Sequence, residues 1–146
     1  MDYFLLRQNF VIHIIMSFLC FVRNLIKYRS FYIETKYFSD YKDLVMDTGL
    51  NKDISSKSSV AIYGIGPYGE AYFVDLFHRV KIVAVYDRKY YLFKSAIKSP
   101  EKINSELFDY IIVTVMEKKA RKEILDHLFK KNIPKEKIIC VNYLHY

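Results

Sequence analysis

The stretch from Val60 to Ala71 reads VAIYGIGPYGEA. Four residues of strand-like composition lead into Gly64, Gly66 and Gly69 at Gly-x-Gly-x-x-Gly spacing, and a helical pattern opens directly behind them. One such glycine suits a tight turn, one lets a diphosphate approach the backbone, and one lets the helix pack closely on the strand. Backbone N–H groups and the positive end of the helix would then face the anion. The stretch therefore predicts a strand, a phosphate-binding turn and a helix N-terminus.

Further candidate ligand-binding residues lie where later strands are predicted to end. The second predicted strand, Val80 to Tyr86, runs into Asp87, where the dinucleotide fingerprint expects an acid that holds ribose hydroxyls. Arg88 follows, and a phosphate-facing arginine there would indicate NADP. The third strand, Tyr110 to Val115, must end on the same edge of the sheet. The predicted site comprises Gly64, Gly66, Pro67, Tyr68, Gly69, Asp87, Arg88 and Thr114.

The remaining pattern of residues 60–146 predicts an α/β domain. A short strand is expected around 92–97, followed by a small helix that Ser99 caps and Pro100 opens. Glu117, after the third strand, either faces the ligand or stabilises the first turn of the next helix, and KIICV (137–141) forms the last strand. The predicted fold is a Rossmann-like half of a doubly wound, mostly parallel sheet with about four or five strands.

Residues 1–50 are predicted to form a helical extension. An apolar helix covers about 4–28, a second helix about 31–48, and residues 51–59 form a polar linker. The uncharged run from Phe10 to Val22 is shorter than the roughly 20 residues that a membrane-spanning helix needs. The first helix is expected to pack on its own domain or on another copy, with a membrane surface as the second choice. A narrow polar stripe on this helix comprises Asn9, His13, Ser17, Cys20, Asn24 and Lys27.

Composition argues against several classes of partner. The net charge of +7 is spread along the chain, and no nucleic-acid-binding motif accompanies it, so no nucleic-acid partner is expected. The two cysteines, Cys20 and Cys140, lie far apart and in no metal-ligand spacing, which indicates reduced thiols and no metal site. These features predict a cytoplasmic protein, with membrane association open.

Taken together, residues 60–143 resemble the small Rossmann-like domain of bacterial surface-polysaccharide enzymes. The resemblance rests on the glycine stretch, the strand that ends in Tyr86-Asp87, the segments IKSPE (97–101) and FDY (108–110), and IPKEKI (133–138). This part of the chain is similar to the N-terminal domain of sugar acetyltransferases of the sialic-acid and bacillosamine type, and to the N-terminal domain of nucleotide-sugar dehydratases. The resemblance implies a nucleotide-sugar (UDP-type) or NAD(P)-like ligand, with the glycines at the phosphates and Asp87 at the ribose or base.

Three functions remain open at this point. The first is a nucleotide-binding module without its own catalytic domain, accessory to bacterial surface-glycan assembly, because no residues remain here for the transferase domain that the resemblance implies. The second is a small NAD(P)-dependent or sugar-modifying enzyme completed by an oligomer or a partner enzyme. The third is a membrane-surface or partner-binding protein with a degenerate nucleotide site. An S-adenosylmethionine site is less well matched, since Tyr63 stands where an acid usually precedes the loop.

Overall fold

The computed structural model describes residues 2–38, 54–93 and 96–141. Over these residues the chain forms three α-helices and a four-stranded parallel sheet, which confirms the predicted α/β class. Short 3₁₀ turns lie between β2 and β3 and before β4. The elements are α1 (Asp2–Phe38), β1 (Ser59–Tyr63), α2 (Pro67–Leu76), β2 (Lys81–Tyr86), β3 (Tyr110–Val113), α3 (Lys118–Lys130) and β4 (Ile138–Cys140).

The strands lie in the order β2-β1-β3-β4, and every neighbouring pair is parallel. The chain leaves β1 through α2 to reach β2 on one side, and then returns past β1 to form β3 on its other side. The winding direction therefore changes between β1 and β3. Tyr63, the last residue of β1, pairs with Tyr86 of β2 and Val113 of β3, so the carboxyl ends of these three strands share one edge.

Helices cover both faces of the sheet. Val60 and Ile62 of β1 point toward α1 and α2, whereas Ala61 and Tyr63 point toward α3 and the 3₁₀ segments. This alternation follows from the two-residue period of a strand. Burial on both faces explains why the strands are apolar runs without polar alternation.

The segment after β2 differs from the prediction. Over its described part it has no strand: residues Tyr90–Leu92 form a 3₁₀ turn, and a single bridge joins Tyr86 to Lys98. The Asp87 carboxylate accepts the Lys89 N–H (2.7 Å), which starts a turn where an extended chain was expected. The predicted cap is present, since the Ser99 hydroxyl accepts the Glu101 N–H at the start of the next 3₁₀ turn.

The N-terminal helix α1 is continuous from Asp2 to Phe38 with a kink at Tyr28 (φ −120°, ψ 18°). The kink lies where the first of the two predicted helices ends. The buried Tyr28 ring packs edge-to-face on Phe73 of α2, with 5.6 Å between the ring centroids. Residues 39–48 of the predicted second helix, and 51–53 of the predicted linker, lie outside the described residues.

The polar stripe of α1 faces the α/β domain from Ser17 to Lys27, whereas Asn9 and His13 are exposed. The Ser17 hydroxyl donates to the His78 carbonyl (3.0 Å), and the Lys27 ammonium donates to the Val83 carbonyl of β2. Burial lowers the pKa of Lys27, and nearby lysines lower it further. Beside this stripe, Phe21, Leu25 and Tyr28 also pack on the domain, whereas most of the other apolar residues between Phe10 and Ile26 are exposed. The stripe residues that hydrogen-bond to the domain are Ser17, Cys20, Asn24 and Lys27.

Asn24 forms the most complete of these attachments. Its Nδ2 donates to the carbonyls of Phe77 (2.7 Å) and Val80 (2.9 Å), and its Oδ1 accepts the Ile82 N–H (2.9 Å). The side chain is buried. Because β2 is an edge strand, the bond from the Ile82 N–H satisfies a strand group that would otherwise be open to pairing with another chain, and the other two bonds satisfy carbonyls of the segment before β2.

Candidate functional site

The turn after β1 is built around two glycines that the fold itself requires. Gly64 has φ +102°, and a Cβ there would lie 2.8 Å from both Thr114 Oγ1 and Val115 Cγ2. A Cβ on Gly69 would overlap the Gly64 carbonyl oxygen and lie 2.8 Å from its carbon. Gly64 therefore permits the left-handed turn, and Gly69 permits the close approach of α2 to that turn.

Gly66 differs from the other two glycines. A Cβ there would meet no atom within 4 Å, and its φ of −67° is open to any residue. Gly66 is the N-cap residue of α2, Pro67 occupies the first turn, and no side chain caps this helix. Gly66, Pro67 and Tyr68 are all exposed. The uncapped, positive end of α2 thus faces solvent across a glycine that has no packing role.

Thr114, at the end of β3, holds the turn in place. Its buried hydroxyl lies 2.7 Å from the Gly64 carbonyl oxygen and 3.1 Å from the Tyr63 carbonyl oxygen. The sequence predicted Thr114 as a ligand-binding residue at this edge. The structure directs its hydroxyl into the turn, and contact with a ligand stays a prediction.

We expect Thr114→Val to lower the free energy of unfolding by about 1–2 kcal/mol, because the isosteric side chain leaves the buried Gly64 carbonyl without its donor. Urea unfolding followed by circular dichroism measures this change. Thr114→Ser keeps the hydroxyl and is the control. Equal losses in the two variants would mean that the methyl group, and not the hydrogen bond, stabilises the turn.

Asp87 connects the end of β2 to the glycine turn. Its Oδ2 accepts the Ile65 N–H (2.9 Å), and its Oδ1 accepts the Lys89 N–H (2.7 Å). The side chain is half-buried at the edge where β1 and β2 end. Each carboxylate oxygen has a second lone pair, so the residue can position the turn and still accept ligand hydroxyls.

A cavity of about 460 Å³ opens beside this turn, on the α3 face of the sheet. Tyr63 lies in its wall immediately before Gly64, and Arg88 lies there immediately after Asp87. None of the three turn glycines lines it. The cavity wall includes Tyr63, Arg88, Tyr90, Glu123, Asp126 and His127.

Arg88 is paired across the mouth of this cavity. Its guanidinium donates to Glu123 of α3 (2.9 Å), and this bond is the main reason that the pKa of Arg88 is raised. Burial raises the pKa of Tyr63, and a hydrogen bond from Arg88 offsets part of the rise. Arg88, which was predicted to face a phosphate, therefore already binds a carboxylate, and its side chain is half exposed.

Comparison with known proteins assigns a family. A family model described as the N-terminal domain of C2185-like proteins matches residues 56–139, more than half of the chain. The chain belongs to the C2185-like family. The matched segment contains every predicted site residue from Gly64 to Thr114, whereas α1 lies outside it. Searches of the curated proteins and of the solved structures found no match to this chain.

The structure brings together most of the residues that the sequence singled out in this C2185-like domain. Gly64, Gly69 and Thr114 pack together, Asp87 is hydrogen-bonded to Ile65 in the same turn, and Arg88 borders the cavity. Gly66 lies exposed in this turn, without a packing contact to the described residues. Glu117 instead caps α3, since its carboxylate accepts the N–H groups of Lys119 and Ala120, and these bonds lower its pKa.

Sequence reasoning missed the α3 side of the cavity. Glu123, Asp126 and His127 belong to α3, for which the sequence predicted no site residue after Glu117. A signal was present in the spacing, because residues three and four apart on a helix share a face. In the structure this face of α3 lines the same cavity as Tyr63.

Proposed function

We propose that this C2185-like domain binds a diphosphate-containing nucleotide at the carboxyl edge of β1. Gly66 carries the proposal. The fold explains the glycines at 64 and 69 by steric contact, but the backbone and packing at 66 would accept any residue. A glycine at the exposed N-cap of α2 is accounted for if a ligand must approach the backbone there.

The position of this turn in the sheet supports the same proposal. Ligands of open α/β sheets bind outside the carboxyl ends of the strands, where the strand order reverses. In this sheet the reversal lies between β1 and β3, and the glycine turn follows β1. We propose on this basis that the sheet is a Rossmann-like half of a doubly wound fold.

The cavity next to the turn supports a ligand larger than a free phosphate. Its volume of about 460 Å³ lies in the range of about 300–1,000 Å³ that is typical of small-molecule sites. Tyr90, which is 41% exposed, offers aromatic surface for a base or sugar ring. Asp87 binds the turn and directly precedes Arg88 of the cavity wall. The ligand class that we propose, a nucleotide sugar of the UDP type or NAD(P), is the one that the resemblance of residues 60–143 implies.

We infer that the domain is a binding module that acts as an accessory to bacterial surface-glycan assembly. The resemblance of residues 60–143 to nucleotide-binding domains of surface-polysaccharide enzymes supports this inference. No catalytic residue is assigned. The residues proposed to hold the ligand are Gly64, Gly66, Pro67, Tyr68, Gly69, Asp87 and Arg88, with Thr114 positioning the turn.

Thermal unfolding with NAD, NADP, UDP and UDP-N-acetylglucosamine tests the proposal on the full chain. A ligand at about 100 times its dissociation constant adds roughly 2.7 kcal/mol of stability. For a protein of this size we expect a rise of several degrees in Tm with one of the four compounds. No shift with any of them would overturn the proposal.

Gly66→Asp is the decisive variant. Its side chain enters open space and caps α2, so the ligand-free Tm should stay equal or rise slightly. The added carboxylate should abolish the nucleotide-dependent shift, because it occupies the space of the phosphate with like charge. Gly66→Asn is the matched control, since it has the same shape without the charge and should weaken the shift less. An unchanged shift in Gly66→Asp would separate the ligand site from this turn.

A further inference from the structure

The outward face of α1 is a broad apolar surface that no described part of the chain covers. Ile26 is 84% exposed, Phe18 is 63% exposed, and residues 9–29 contain no acidic side chain. At 3.6 residues per turn, the exposed apolar positions spread over about 200° of the helix. We call these residues the apolar arc. It consists of Phe10, Val11, Ile12, Ile14, Ile15, Phe18, Leu19, Val22 and Ile26.

We propose that the apolar arc docks in the surface of an anionic lipid bilayer, with α1 lying along the membrane while its polar stripe stays packed on the α/β domain. The width of the arc argues against a second copy of the chain as the occupant. A paired helix covers a narrow seam of about two positions in seven, and close pairing in membranes uses small residues. The arc is about twice as wide and has no glycine, alanine or serine.

Charge complementarity supports an anionic bilayer. Arg23 and Arg29 are exposed at the carboxyl end of the arc, and Lys27 lies near Lys81 and Lys98, which lower its pKa by charge repulsion. No acid in 9–29 offsets this basic group. Basic side chains beside an apolar helix face favour anionic headgroups by about 1 kcal/mol each, or about fivefold in partitioning.

The contacts of α1 favour docking over spanning. By length and composition Asn9–Arg29 could cross a membrane, with a mean hydropathy of 1.7. However, Ser17, Cys20 and Asn24 hydrogen-bond to the domain, so a spanning helix would have to break these bonds and expose the groups to hydrocarbon. The part of α1 that precedes these contacts, residues 2–16, is about 22 Å long at 1.5 Å per residue, shorter than the roughly 30 Å of a bilayer core.

The contacts of α1 also determine on which side of the sheet its amino-terminal part lies relative to the glycine turn. Ser17 reaches His78, before β2 begins, and Cys20 reaches Ser56, before β1 begins. The free end of α1 therefore projects from the amino edge of the sheet, opposite the glycine turn. Docking by the arc leaves the turn open to the aqueous phase.

Vesicle flotation of the full chain tests this proposal, with vesicles of phosphatidylcholine alone and with added phosphatidylglycerol. We expect the protein to float, more strongly with the anionic lipid. The double variant Ile14→Gln/Phe18→Gln should partition at least about tenfold less well, because it removes two apolar side chains from the bilayer contact. Its Tm should not fall, since both residues are exposed. Leu92→Gln is the matched control, as Leu92 is similarly exposed but belongs to the 3₁₀ turn after β2 and not to the apolar arc, and it should float like the wild type.

Two further measurements make the outcome decisive. Arg23→Gln/Arg29→Gln should reduce flotation on anionic vesicles severalfold and leave binding to neutral vesicles unchanged. An alkaline carbonate wash should release the docked protein, and retention would show a spanning helix and overturn the proposal. A wild-type protein that does not float also overturns it. If that protein is an oligomer by light scattering and the Ile14→Gln/Phe18→Gln variant is a monomer, a second copy covers the arc.

Discussion

Gly69→Ala is expected to destabilise this protein by about 3 kcal/mol or more, a substantial part of the 5–15 kcal/mol that stabilises a typical domain. The added methyl group would overlap the carbonyl oxygen of Gly64. This obstacle is backbone, and it has little freedom to move: Gly64 is in a left-handed conformation, and its own neighbours are Thr114 and Val115. Relief therefore requires α2 to move away from the sheet, which opens a buried contact.

Thermal and urea unfolding of Gly69→Ala measure this loss, and the expected fall in Tm exceeds about 10 °C. Gly66→Ala is the matched control, since the same chemical change at the first glycine of the Gly-x-x-Gly pair meets open space. It should cost less than about 1 kcal/mol, from the poorer capping by alanine. Similar losses in the two variants would mean that the turn relaxes around the methyl group, and would remove the packing argument for Gly69.

Asn24→Leu is expected to lower the free energy of unfolding by about 3 kcal/mol or more. Leucine has a similar volume but cannot replace the three hydrogen bonds of the buried asparagine. The Ile82 N–H and the carbonyls of Phe77 and Val80 lose this partner inside the interface, at a cost of about 1–3 kcal/mol for each group left unsatisfied. The three contributions share one side chain and do not simply add.

Urea unfolding with a far-ultraviolet circular dichroism signal measures the Asn24 effect. Asn9→Leu is the control, because it makes the same change in the same helix at an exposed position and should alter stability by less than about 0.5 kcal/mol. Equal stability of Asn24→Leu and the wild type would contradict the packing of α1 as an integral part of the domain. It would also remove the contact-based argument against a spanning helix.

The elements around the glycine turn were predictable because local chemistry determines them. A β-branched run, three glycines and a proline at the start of α2 describe a strand, a turn and a helix without reference to the rest of the chain. The segment after β2 was less predictable. There the Asp87 side chain binds the Lys89 N–H, and a hydrogen bond over two residues outweighs the strand preference of the tyrosines and leucine that follow.

The residues of the candidate site at the strand ends were predictable from the sequence, but the cavity beside them was not. Parallel strands must end together, so the strand pattern alone was enough to assign Asp87 and Thr114 to the edge of the glycine turn. The cavity could not be predicted in this way, because its far wall belongs to α3, and the position of α3 depends on how Ile124 and Leu128 pack on the sheet. The pairing of Arg88 with Glu123 follows from the same packing.

For the N-terminal helix, the sequence alone determined the helical spacing of the small and polar residues. It therefore showed that these residues form one stripe that differs from the remaining surface of the helix. The tertiary structure decided which side faces inward. Usually the apolar side of a helix is buried, but here Asn24, Ser17 and Lys27 face the domain, because backbone groups near the end of α2 and along the edge strand β2 need hydrogen-bond partners. A linear sequence does not reveal which backbone groups the fold leaves open. From the sequence, a membrane surface was therefore only the second choice for this helix, and the exposed apolar arc followed from the structure.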